Sequence, residues 1–118
     1  MTAPLRLGTR ASALATTQSG LVATMIRERL GREVELVEVS TEGDRSSAPL
    51  AQLGGTGVFV SALRDALLGG QVDIAVHSLK DLPTTPADGI TLVAVPPRED
   101  PRDVVIARDG LTIGELPP

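Results

Sequence analysis

Apolar and polar positions along the chain follow two different periods, and their order predicts an α/β fold. Residues 5–9 alternate as a short strand does, and a long helical pattern follows that Gly31 would end. A second strand is predicted over 34–39, where apolar residues point both ways, so we expect it to be buried on both faces of a parallel sheet. The predicted inner face of the first helix comprises Leu14, Gln18, Leu21, Val22 and Met25.

The rest of the chain continues the same alternation of elements. A second helix is predicted over 59–68, where Phe59 is a core anchor on pattern alone and two glycines end the helix. Further strands are predicted at 72–76, 90–95 and 104–107. Strands that alternate with helices favour a mostly parallel sheet flanked by helices. A first domain is expected over residues 1–97. Residues 98–118 follow two prolines and are expected to form a hinge and the start of a second domain.

Composition narrows the classes of function. The 118 residues carry a net charge of −4 and contain one aromatic residue, which disfavours nucleic-acid binding because bases need aromatic or guanidinium faces to stack on. No cysteine is present, which fits a reducing compartment and leaves no thiolate for a metal or a nucleophile. No apolar run reaches the roughly 20 residues that span a bilayer. We therefore expect a cytoplasmic protein without nucleic-acid or membrane partners.

Residues 40–57 show no period and are rich in glycine at one end. Loops without secondary structure longer than about 12–15 residues are often lids or binding loops. The glycines at 54–57 match neither a P-loop nor a dinucleotide fingerprint, so a nucleotide site is rejected. A mobile loop beside a site is the preferred interpretation, and a surface insertion is the alternative.

Arg10 and Ser12 stand between the first strand and the first helix. Ser12 is placed to cap the helix, because its side-chain oxygen can accept a free backbone N–H. Alternatively, Arg10 and the free N–H groups of the first helical turn together hold an anion such as a carboxylate. The pattern alone leaves both interpretations open.

The third strand runs without a spacer into His77, Ser78, Lys80 and Asp81. The single histidine is either a hydrogen-bonded structural residue or a catalyst, and no metal site is expected because no second histidine or close acidic cluster accompanies it. Ser78 lacks the flanking glycines of a nucleophile elbow. Lys80 and Asp81 are either a solvated pair or parts of a ligand site, in which lysine holds a carboxylate and aspartate stabilises a cation or accepts N–H groups.

From chemistry alone, these residues predict a site for a small anionic ligand. Its binding residues would be Arg10, Ser12, Ser78 and Lys80. Asp81 would face a positive or N–H-rich part of the ligand. The residue types do not by themselves indicate a reaction.

Five motifs together resemble the porphobilinogen deaminase family, whose members are also called hydroxymethylbilane synthases. They occur in the family's order and spacing over essentially the whole chain. They are residues 6–15 (RLGTRASALA), 41–44 (TEGD), 57–60 (GVFV), 77–83 (HSLKDLP) and 98–103 (REDPRD).

The resemblance implies a cytoplasmic, monomeric transferase of tetrapyrrole and heme biosynthesis. Such an enzyme joins four porphobilinogen molecules into hydroxymethylbilane and releases ammonia at each step. The implied architecture has three domains, the first two like periplasmic binding proteins, with the active site between them. Its cofactor is a dipyrromethane attached to a cysteine in the third domain, and that cysteine is absent from this chain.

The resemblance also implies roles for individual residues. Asp81 would be the catalytic carboxylate, contacting pyrrole N–H groups and stabilising the azafulvene cation formed as ammonia leaves. Phe59 would lie near the cofactor, and residues 42–57 would be the flexible active-site loop. The acetate and propionate groups of cofactor and substrate would be bound by Arg10, Ser12, Ser78 and Lys80.

Two departures from the family qualify this expectation. Gln52 and Thr56 stand in the loop where many members have lysine. The chain matches only the first domain and the crossing into the second, so we expect it to lack the segment that completes the first domain and to be inactive alone. An open sheet edge would then favour self-association. The alternative function is a stand-alone module that binds small carboxylates without catalysis.

Overall fold

The structure, a computed structural model, describes residues 2–40 and 60–117. Its centre is a parallel sheet of three strands, β1 (Leu5–Thr9), β2 (Val34–Glu38) and β3 (Ile74–Ala75), in the order β2-β1-β3. Helix α1 (Ala13–Leu30) lies between β1 and β2 in the chain, and helix α2 (Ser61–Leu68) precedes β3. Short 3₁₀ turns follow at Leu79–Asp81, Arg108–Gly110 and Ile113–Glu115. The predicted α/β class with parallel strands is confirmed.

Helix α1 begins and ends where the sequence predicts. The Ser12 side chain accepts the Ala15 N–H at 3.3 Å, and Gly31 ends the helix in the left-handed conformation at φ 63° while its N–H donates to the Arg27 carbonyl. Glycine reaches that conformation without the steric cost of a Cβ. The capping interpretation of Ser12 is therefore confirmed.

The predicted inner face of α1 is only partly confirmed. Leu14 and Leu21 are more than half exposed, whereas Ser19 and Ala23 are buried. Small side chains four residues apart let the helix axis approach the sheet closely, and this short-range packing outweighs a weak apolar stripe. Val22 and Ile26 pack beside them against the core.

The two helices cover opposite faces of the sheet. Leu7 lies on the α1 side, in one core with Ala23 and Val34. The next residue, Gly8, points to the α2 side, where an added Cβ would stand 2.9 Å from the Leu63 side chain and 3.1 Å from that of Val72. A larger residue at position 8 would force the Leu63 and Val72 side chains to shift, so glycine permits this close packing on β1.

Strand β2 lies at the edge of the sheet that the described residues form, and its predicted burial on both faces is wrong. Val34 is buried, but Leu36 is 40% exposed and the glutamates of the strand face solvent. Helix α2 packs against β1 and β3 rather than against β2. The second face of β2 is therefore left uncovered by the described residues.

The predicted strands at 90–95 and 104–107 are also wrong. No strand forms in either segment, and Val93, Val104 and Ile106 are each more than 80% exposed. An isolated strand gains nothing without a neighbour to pair its N–H and C=O groups, and no described residue provides that neighbour. Apolar side chains alone therefore did not produce strands here.

Several expectations lie outside the described residues. They concern the loop at 42–57, with Gln52 and Thr56, and the position of Phe59 at the start of the second helix. Within the described ranges, no helix has the length and apolar character needed to cross a membrane.

Candidate functional site

The strand order places the predicted site residues at a topological switch point. The chain leaves β1 toward α1 on one face of the sheet, while α2, which leads into β3, covers the other face. In open α/β sheets a crevice forms outside the carboxyl ends of adjacent strands where the winding reverses, and ligands bind there. Residues 10–12 follow β1 and residues 76–82 follow β3, so both segments border this crevice.

The pairing of β1 with β3 continues to the edge of the crevice. Gly8 pairs with Ala75, and the Val76 N–H donates to the Gly8 carbonyl at 3.3 Å, which leaves His77 beside the end of β1. Burial lowers the pKa of His77, the positive charge of Arg10 lowers it further, and the carboxylate of Asp81 opposes both. These mutual effects place Arg10, His77 and Asp81 within electrostatic range of one another.

A single 3₁₀ turn presents the polar side chains that follow β3. The Asp81 N–H donates to the Ser78 carbonyl at 2.9 Å, and the Leu82 N–H donates to the Leu79 carbonyl at 3.1 Å. Lys80 is exposed and Asp81 is half-buried. Within the described part of the chain the two side chains form no salt bridge with each other.

Ser78 connects this turn to helix α1. Its hydroxyl donates to the side-chain carbonyl Oε1 of Gln18, on the second turn of α1, at 2.9 Å. Gln18 was assigned from the sequence only to the inner face of the helix. Its amide is the single polar group among apolar residues on that face. Because buried amides need hydrogen-bond partners, this pattern could have indicated that Gln18 bonds another element.

Ser12 contributes differently from Ser78. Its oxygen accepts the Ala15 N–H as the helix cap, and its hydroxyl hydrogen is free to bond a ligand. The first N–H groups of α1 stand at the same place, at the positive end of the helix dipole. Ser12 can therefore cap the helix and, together with Arg10, bind an anion.

The opposite, amino end of the sheet carries a charged pair that the sequence did not indicate. The Arg6 guanidinium donates to both Asp73 carboxylate oxygens at 3.2 and 2.9 Å, and the Arg6 backbone N–H donates to Asp73 at 2.8 Å. These bonds lower the pKa of Asp73 to about 2. An open depression beside the pair is lined by residues including Arg32 and Glu35, and it is remote from the crevice because it lies at the other end of β1.

At the carboxyl end the described residues supply two cationic side chains and one carboxylate. Arg10 and Lys80 can bind anionic groups, and Asp81 can bind N–H groups or a developing positive charge. No group of three or more potential metal-ligating side chains occurs in residues 2–40 and 60–117. These side chains therefore supply the chemistry of an electrostatic binding site, with two cations and one carboxylate.

Comparison with known proteins identifies a family for this arrangement. Residues 5–118 match the family model described as porphobilinogen deaminase, dipyromethane cofactor binding domain. "Porphobilinogen deaminase 1" of Streptomyces avermitilis is 68% identical over 112 residues, which cover 95% of this chain and 35% of that protein. "Porphobilinogen deaminase" of Thermobifida fusca is 62% identical over 117 residues, covering 99% of this chain and 37% of the relative.

The match covers nearly all of this chain but only part of each relative. The chain spans a little over a third of the length of the curated relatives it matches. The family match covers the segments that follow β1 and β3, because residues 5–118 include both 10–12 and 76–82. The chain therefore belongs to the porphobilinogen deaminase family.

Proposed function

We propose that this chain forms part of the active site of an enzyme that joins four porphobilinogen molecules into hydroxymethylbilane. The observation that carries the proposal is the position of Asp81. Its half-buried carboxylate forms no ion pair with a described residue, and it lies on the turn after β3, within electrostatic range of His77. A carboxylate held in this way is suited to stabilise a positive charge that appears during a reaction.

The cationic groups are assigned to the acidic side chains of the ligand. Porphobilinogen carries an acetate and a propionate group, which Arg10 and Lys80 would neutralise. Ser12, with the adjoining N–H groups of α1, would donate to a carboxylate oxygen. Ser78 is assigned to the same binding surface, next to Lys80 on the turn.

The same set of residues fits the dipyrromethane cofactor of the family. Donors and cations suit its carboxylates, and the oxygens of Asp81 and Ser78 suit its pyrrole N–H groups. When bound, the cofactor supplies the pyrrole end to which the first substrate is joined. No cysteine occurs in the 118 residues, so its covalent attachment is assigned to a part of the enzyme outside them.

Asp81 is proposed as the catalytic residue. In each step the carbon–nitrogen bond of the protonated aminomethyl group (an ammonium) breaks, ammonia leaves with the bonding electrons, and the remaining pyrrole is a cation. The negative charge of Asp81 would stabilise that cation until a pyrrole carbon of the growing chain bonds to it and releases a proton. A fixed carboxylate in a crevice does this without the reorganisation that water would need.

His77 is proposed as a structural residue rather than as a proton carrier. Its lowered pKa keeps the imidazole neutral at pH 7, so it adds no positive charge next to Asp81. A neutral ring can still donate one hydrogen bond and accept another.

The architecture follows from the same proposal. Residues 1–97 would belong to a first domain like that of periplasmic binding proteins, and residues 98–118 would form the hinge and the start of a second domain. The exposed apolar residues at 92–95 and 104–106 support this division, because side chains of that kind are normally covered by further structure. The absence of cysteine from these residues supports a cytoplasmic location.

A hybrid enzyme tests the proposed function. This chain replaces the matching segment of the Streptomyces avermitilis relative, and the hybrid is incubated with porphobilinogen. We expect ammonia release and the absorbance of uroporphyrin. Hydroxymethylbilane forms this porphyrin when it closes into a ring and is oxidised by air. The 118 residues alone are expected to bind porphobilinogen without producing the signal.

Two outcomes would contradict the proposal. A folded hybrid that binds porphobilinogen and does not release ammonia would favour a carboxylate-binding module without catalysis. Turnover by the 118 residues alone would show that the active site is complete within them. The unmodified relative serves as the control for assay and cofactor assembly.

A further inference from the structure

The hydrogen bond between Ser78 and Gln18 joins two elements that are 60 residues apart in the chain. One is helix α1, whose amino end carries the Ser12 cap and follows Arg10. The other is the 3₁₀ turn that carries Lys80 and Asp81. The bond therefore ties the turn after β3 to the helix that follows β1.

The turn has little of its own to hold it in place. It is a single turn closed by the Asp81 and Leu82 N–H bonds, and none of its residues is buried. Short 3₁₀ segments have poor internal hydrogen-bond geometry, so their orientation depends on outside contacts. Gln18 provides such a contact from a rigid helix, at a half-buried position where a hydrogen bond is shielded from water.

We propose that Gln18 is a positioning residue, which fixes Ser78 and thereby orients the turn that presents Lys80 and Asp81. Gln18 acts through the acceptor oxygen Oε1, because the Ser78 hydroxyl has one hydrogen and donates it there. The expected effect of Gln18 on porphobilinogen binding rests on the proposed function. The ordering of the turn does not depend on it.

Amide hydrogen exchange of the 118-residue chain tests the ordering directly. Gln18→Leu removes the acceptor, and the Asp81 and Leu82 amides are expected to exchange about two- to tenfold faster, the ratio that one net hydrogen bond produces. Gln18→Glu keeps the shape and can only accept, so it should retain the slow exchange. Unchanged exchange in Gln18→Leu, or equal acceleration in both variants, would overturn the proposal.

Gln71 provides a matched control, because it is an exposed glutamine before β3. Gln71→Leu makes the same chemical change on the surface and should leave the exchange of Asp81 and Leu82 unaltered. A Gln18→Leu chain that fails to fold would show collapse of exchange protection in α1 as well. The test then uses Ser78→Ala, which removes the donor and must accelerate the same two amides for the proposal to stand.

A double-mutant cycle tests whether Gln18 acts through Ser78. Porphobilinogen affinity is measured by calorimetry for Gln18→Leu, Ser78→Ala and the double variant. We expect the leucine substitution to weaken binding in the parent chain and to have no further effect once Ser78 is alanine. Equal losses in both backgrounds would show that Gln18 acts independently and would overturn the positioning role.

The two proposals fail in different ways. If the parent chain does not bind porphobilinogen, the proposed function is wrong, while the exchange measurements still decide whether Gln18 orders the turn. If porphobilinogen binds and Gln18→Leu leaves the exchange rates of the Asp81 and Leu82 amides unchanged, the proposed function stands and the positioning role is wrong.

Discussion

The two ends of the small sheet carry similar charged residues and use them in opposite ways. At the amino end, Arg6 and Asp73 bond each other through both side chains and backbone. At the carboxyl end, Lys80 and Asp81 are sequence neighbours and form no salt bridge within the described residues. Charges that satisfy each other stabilise a fold, whereas charges kept apart beside a crevice remain available to a ligand.

Replacing the carboxylate at the carboxyl end should have the largest effect. In the hybrid enzyme, Asp81→Asn keeps the shape and removes the negative charge. Turnover of porphobilinogen is expected to fall about 100- to 1,000-fold, since a fixed group that stabilises transition-state charge contributes that much. Thermal unfolding should be nearly unchanged, because Asp81 makes no side-chain bond with a described residue. Activity near the parent level would remove Asp81 from the mechanism.

The cation on the same turn should have an intermediate effect. Lys80→Ala is expected to weaken porphobilinogen binding about 10- to 100-fold, the contribution of one charge-assisted hydrogen bond. Stability should change by less than about 0.5 kcal/mol, because the side chain is exposed. Lys80→Arg, which keeps the charge, is the control and should retain most of the affinity. Equal losses for both substitutions would indicate that shape rather than charge matters.

His77 is expected to make the stability of the folded chain depend on pH. Because burial lowers its pKa in the folded state, the unfolded chain binds the proton more readily, and stability is lost as the pH falls below about 6.5. One proton limits the slope to at most about 1.4 kcal/mol per pH unit. Urea unfolding between pH 7 and pH 5 should show this slope in the parent chain and a flatter profile in His77→Gln. Identical profiles would contradict the assigned environment of His77.

The amino end should show the smallest effect and a different pH window. Asp73→Asn should lower stability modestly at pH 7 and leave porphobilinogen binding intact. The lowered pKa of Asp73 means that its contribution is present above about 4 and is lost as the pH falls toward about 2. Unfolding of parent and variant should therefore converge at the acid end. A loss of porphobilinogen binding in Asp73→Asn would contradict the assignment of ligand binding to the carboxyl end alone.

The sequence predicted those features that depend on short stretches of chain. Ser12 and Gly31 set the limits of α1 through local capping chemistry, and the residues after β1 and β3 stood out because polar groups followed apolar strands directly. The strand order could not be read in the same way. Only the placement of β1 beside β3 brings Arg10 within electrostatic range of His77.

The wrong predictions share a cause in tertiary contacts. Leu14 and Leu21 fit an apolar stripe, but the helix turns Ser19 and Ala23 to the sheet because small side chains allow closer packing. Residues 90–95 have strand composition and no partner strand among the described residues. The bond from Ser78 to Gln18 joins residues 60 positions apart, and no local pattern encodes such a pairing.

Mapping where porphobilinogen contacts the chain tests the contrast between the two ends most directly. The 118-residue chain is labelled with nitrogen-15 and titrated with porphobilinogen while the backbone amide shifts are followed. We expect the shifts to concentrate at residues 10–16 and 77–82, while those of Arg6 and Asp73 stay unchanged. Shifts centred on Arg6 and Asp73, or no shifts at residues 77–82 at saturating ligand, would contradict it.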